Sequence, residues 1–221
     1  MTQQLAHSPA RPLSTRRLLL GCGIVAGPTY VTVALAQALT RDGFDLARHP
    51  WSFLANGELG WIQTANFVLT ALATIAAAVG LSRSLSPGRG ARWAPILVGA
   101  FGASMIGAAI FPADPAMGFP AGTPEGPGTV TLSGTLHMAV GGVGFLCMAA
   151  ACFVIASRQA REDRKGWALY SRVTGTLFLG SFAGIASGGG VAWANLAFIA
   201  GIVAIWGWLS LLSLSLSRQT A

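Results

Sequence analysis

The chain has 221 residues, 53% of them hydrophobic and only 10% charged, with a formal net charge of +7 and a mean hydropathy of +0.60. Soluble domains carry charge on about a quarter of their residues, so the composition excludes an ordinary soluble domain. The positive charge does not read as a nucleic-acid surface. The basic residues sit in short linkers between apolar runs, where they orient helices and meet lipid headgroups.

Apolar runs close to 20 residues recur along the chain, each enough to cross roughly 30 Å of hydrocarbon. Backbone groups in lipid must be satisfied internally, and the alternation of a barrel strand is absent, so the runs are read as helices. Six spans are predicted, at 17–39, 59–81, 93–111, 131–156, 168–187 and 191–212. The organisation that follows is a tail at 1–16, a six-helix transmembrane domain at 17–216 and a tail at 217–221. The expected fold class is an all-α membrane protein, a six-transmembrane-helix bundle in the plasma membrane with the lipid bilayer as its first partner.

The first span follows Arg16-Arg17 in "STRRLLLGCGIVAG", which resembles a twin-arginine export signal with Ala34-Leu35-Ala36 as a small-residue cleavage site. The simpler reading is an uncleaved span held by its arginines. "LLGC" has too short an apolar core before it to serve as a lipoprotein box. Cys22, Cys147 and Cys152 all fall inside apolar spans without loop partners, so neither a disulfide framework nor a metal site is indicated.

The first loop carries His49, Trp51 and Glu58 and reads as an interfacial collar with a short half-buried helix. In span two, Gln63, Asn66, Thr70 and Thr74 are spaced to share one helical face. Gly99, Ala103 and Gly107 make a small-residue ridge in span three, with Asp114 continuing its line into the third loop. His137 lies near the start of span four. Gly180, Gly184 and Gly188 form a second ridge in span five, and Asn195 sits about a turn into span six. "SGGG" at 187–190 is a tight turn, lacking the strand and lysine of a phosphate loop. "GWIQTANFVLTAL" and "GWALYSRVTGTLF" open spans two and five alike, but a boundary Trp explains the match without an inverted repeat.

Orientation follows from the cations. Twelve of the 14 Lys and Arg residues lie on the side of the termini, leaving only Arg41 and Arg48 opposite. Both termini are therefore expected in the cytoplasm.

Polar groups inside hydrocarbon are costly, and their placement is the functional clue. Gln63, Asn66, Asp114, His137, Glu58 and Asn195 are the candidate substrate-binding residues, all toward the outer face and with almost nothing ionisable in the inner halves. That pattern suits an outward-facing pocket that binds or passes a small molecule or lipid headgroup. An alternative is a membrane-embedded enzyme acting on an amphiphilic substrate, with His137 and Asp114 as an acid–base pair. A further alternative is a structural subunit, in which the same groups only join helices or cap turns. No catalytic motif, cofactor or metal signature is present, and whether the chain is an enzyme stays open.

Two stretches resemble a known family. "HPWSFLANGELGWIQTANFVLTAL" carries Gly60-Trp61-x-Gln63-x-x-Asn66-Phe67, and "FPADPAMGFPAGTPEGPG" carries Asp114-Pro115-x-x-Gly118-Phe119-Pro120 ahead of a Leu-His helix with His137. Both are similar to an uncharacterised family of bacterial integral membrane proteins, domain of unknown function nine-nine-eight. The resemblance covers most of the chain and implies six transmembrane helices, with no activity to carry over.

Overall fold

The computed structural model describes residues 14–187 and 191–219. Arg11, Gly188 and most of the glycine turn at 187–190 lie outside the described residues. The described residues form six α-helices: α1 (Thr15–Thr40), α2 (Gly60–Leu85), α3 (Trp93–Ile110), α4 (Leu132–Arg161), α5 (Lys165–Ala186) and α6 (Ala192–Arg218). A short 3-10 helix, Trp51–Ala55, lies in the first loop where the half-buried segment is expected. Five of the helices, all but α5, are long and apolar enough to cross a membrane, which makes this a multi-pass membrane protein.

The helices outrun the apolar windows that predict them. α1 begins at Thr15 and α6 continues to Arg218, both inside the segments assigned to tails. α4 extends to Arg161, with Arg158 and Arg161 in its last turn. Cations there face the negative end of the helix dipole, so a hydropathy window stops before the helix does.

Each helix packs on its neighbours in sequence, and α6 closes back onto α1, so the six form a ring. The first and third loops lie at one end of the ring, and the second and fourth loops, with the start of α1 and the end of α6, at the other. Leu20, Met148, Phe178, Ile205, Trp206 and Trp208 are among its fully buried side chains.

Helix association in lipid has no hydrophobic drive and relies on close contact, which small residues permit. Every seam of this ring has such a contact. A Cβ on Gly27 of α1 would lie 3.0 Å from the Trp206 carbonyl of α6, and one on Gly80 of α2 3.0 Å from the Leu20 nitrogen of α1. Gly102 of α3 sits against Ala71 and Ile75 of α2, Gly144 of α4 against Ser104, Gly175 of α5 against Cys152, and Gly201 of α6 against Ser181. The ridge expected on span five is not one of these seams. Gly180 has open space beside it, and Gly184 meets only the edge of the Trp193 ring.

Candidate functional site

The ring encloses a cavity of about 250 Å³ toward the end that bears the first and third loops. All six helices line it, and Pro50, Trp51, Ser52 and Phe53 cover it from the first loop. Its walls are dominated by aromatic rings, with Tyr30, Phe67, Phe101, Phe145, Phe198 and Trp206 among them. These rings hold one another in place. Trp206 lies 5.4 Å from both Tyr30 and Phe101, and Phe145 meets Phe182 and Phe198 edge to face. Met138 of α4 also lines the cavity and is 61% exposed.

Two titratable side chains, Tyr30 and His137, are among the described lining residues, and both are buried. The His137 Nδ1 lies 2.8 Å from the Phe111 carbonyl, with the Ala108 carbonyl beside it. α3 ends at Ile110 and leaves its last carbonyls without intrahelical partners, so His137 caps that helix from α4. A carbonyl only accepts, so Nδ1 carries the proton and donates. Nε2, on the opposite edge of the ring, is then a lone-pair acceptor, and no described residue partners it.

Gln63 and Asn66 sit together, behind the wall rather than in it. Both are buried in the α1–α2 seam, where Gln37 Nε2–H donates to Gln63 Oε1 at 2.9 Å. Asn66 Nδ2–H donates to the Tyr30 carbonyl at 3.1 Å and to Gln63 Oε1 at 3.3 Å. Thr70 donates to Asn66 Oδ1, and Thr74 to the Thr70 carbonyl. The stripe therefore runs along one buried face of α2, as its spacing indicates.

Asp114 is engaged elsewhere. It accepts from the Thr131 amide at 2.8 Å and the Thr131 hydroxyl at 2.5 Å, while that hydroxyl accepts from the Gly134 amide and caps α4. These bonds, the Thr131 hydroxyl first, hold the Asp114 carboxyl below the usual carboxylate range, with a small contribution from His137. Asn195 Nδ2–H donates to the Leu46 carbonyl at 2.8 Å and ties α6 to the first loop. Glu58 is exposed. Of the six candidates, His137 alone lines the cavity.

Three features escape a linear reading. His49 is buried and pins the first loop to the third. Arg41 forks onto the Leu54 and Asn56 carbonyls, at 2.6 Å each, and covers the Phe119 ring. The aromatic wall is the third, because its rings are scattered over six helices and each looks like ordinary apolar packing. Among the described residues no group of three or more His, Cys, Asp or Glu side chains could hold a metal ion.

No curated protein and no solved structure matches the chain. The family described as "Protein of unknown function (DUF998)" matches residues 24–215, from the first helix to the last. The chain belongs to the DUF998 family.

Proposed function

We propose that this is a six-span protein of the plasma membrane whose central cavity binds a small, mainly apolar molecule, with His137 as its polar contact. The observation that carries the reading is an aromatic cavity of about 250 Å³ whose wall includes the His137 imidazole and the buried, unpartnered Trp51 indole N–H. Ligand sites are typically apolar concavities with a few placed polar groups. Gln63, Asn66 and Asn195 act from behind the wall, holding α1, α2 and the first loop in register, and Asp114 sets the start of α4. Glu58 is exposed in the first loop.

α5 completes the sixth crossing. Its 22 residues extend roughly 33 Å as a helix, and it packs between two helices that are themselves long and apolar enough to span. Its Arg172 and its Ser, Thr and Gly residues dilute the apolar signal. The termini face the cytoplasm on the strength of the cation asymmetry, which puts the cavity under the outward loops. Binding is favoured over acid–base catalysis because His137 Nδ1 bonds a carbonyl and the Asp114 carboxylate is occupied by Thr131.

The test uses naphthalene as probe and the full chain in lipid nanodiscs. Naphthalene raises the melting temperature of the wild type but not of Gly142→Leu, which fills the cavity from α4. A wild type that does not respond overturns the reading.

A further inference from the structure

The chemistry of the wall says more than that the cavity is apolar. The His137 Nδ1 proton is committed to the Phe111 carbonyl at 2.8 Å, which leaves Nε2 able only to accept while the ring is neutral. The Ser104 hydroxyl, which also lines the cavity, donates to the Phe101 carbonyl at 2.8 Å and likewise presents lone pairs. Among the described residues no Lys, Arg, Asp or Glu lines the space, so a charged ligand would lose its hydration without a partner. Edge-to-face packing against rings such as Phe145 and Trp206 favours a flat aromatic body. A cavity of about 150 Å³ holds benzene, so one of 250 Å³ has room for about two fused rings.

We infer that the ligand is an uncharged aromatic hydrogen-bond donor of about two fused rings, a phenol or an indole-like N–H compound, whose proton is donated to His137 Nε2. Resting on the binding reading above, this names the class of molecule that the cavity selects. A phenol can donate to Nε2 and also accept from the Trp51 Nε1–H, a buried lining donor without a partner, whereas an aryl ether meets only that donor and leaves Nε2 unpaired, and that loss sets the selectivity. Because the cavity lies among apolar spanning helices and its lining residue Met138 is exposed on α4, the ligand is one that partitions into hydrocarbon.

The experiment measures binding of three probes, 1-naphthol, 1-methoxynaphthalene and naphthalene, to the full chain in nanodiscs at neutral pH. Empty nanodiscs correct each value for partitioning into lipid. The expected result is 1-naphthol bound roughly tenfold more tightly than either other probe, the gain of one net hydrogen bond. In His137→Asn, whose amide keeps a donor for the Phe111 carbonyl while its oxygen stops short of the Nε2 position, that ratio falls to near one while naphthalene affinity holds. Three probes binding alike in the wild type overturn the donor inference and leave the binding reading standing. A preference for 1-naphthol that survives in His137→Asn also overturns it, since the acceptor is then another atom. Should none of the probes bind, the binding reading itself fails and the inference goes with it. If His137→Asn does not fold, the wild-type ratio decides alone.

Discussion

The Nε2–H of His49 donates to the Met117 carbonyl at 2.9 Å and joins the first loop to the third across 68 positions of chain. The other ring nitrogen accepts from the Asp45 amide at 2.8 Å, so both edges of a buried imidazole are used and the tautomer follows from its partners. Met117 itself holds a left-handed φ of 56°, and its amide donates to the Gly126 carbonyl. One ring therefore fixes the shape of the lid over the cavity. His49→Ala strands a part-buried donor, the Asp45 amide, and a part-buried acceptor, the Met117 carbonyl. It should lower stability by about 2 kcal/mol or more, read as a fall in the melting temperature of protein in nanodiscs. An unchanged melting curve would show that the clasp is dispensable.

Asp114 has a different signature. Bonds from Thr131 lower its folded-state pKa beneath the unfolded value. The stabilisation is thus present above the ordinary carboxylate range and is lost as pH falls through the lowered folded value. Asp114→Asn should have a flatter melting-temperature profile on the acid side of neutrality than the wild type. Parallel profiles would mean that the carboxylate does not contribute to capping α4.

For the α1–α2 seam, the Gln37–Gln63 pair invites a double-mutant cycle with leucine at each position. Interhelical hydrogen bonds in membranes contribute about 0.6 kcal/mol on average, so a coupling of about 0.5 to 1.5 kcal/mol is expected. Additive single effects would reduce the 2.9 Å contact to proximity.

Close backbone approach yields the sharpest contrast. A Cβ on Gly60 would fall on the Ala55 carbonyl oxygen, part of the turn that leads from the 3-10 helix into α2. A Cβ on Gly180 meets nothing within 4 Å. Gly60→Ala should markedly lower expression and melting temperature, and Gly180→Ala should leave both near wild type. Equal behaviour of the two variants would contradict the packing at the head of α2.

Much of the fold is legible along the chain. Each predicted span overlaps a helix, because hydrocarbon leaves a backbone segment no other way to satisfy its own amides and carbonyls. The α2 stripe is legible for a related reason, since Gln63, Asn66, Thr70 and Thr74 share a face by helical periodicity and that face is buried. The small-residue ridge of span five misleads, because glycine spacing marks where a neighbour could approach and not whether one does.

What the amino-acid sequence determined by itself is local: where helices form, which face of α2 is polar and which end of the bundle is basic. Only the tertiary structure decided which residues meet. Closing α6 onto α1 brings Tyr30, Phe67, Phe101, Phe145, Phe198 and Trp206 around one space, although they span 177 positions of sequence. The packing of α4 on α3 draws Asp114 onto Thr131 and His137 onto Phe111, partners at sequence separations of 17 and 26. A polar side chain near a membrane boundary bonds with whatever acceptor or donor the packing brings within about 3 Å, and that choice depends on the relative placement of helices, which no local pattern encodes.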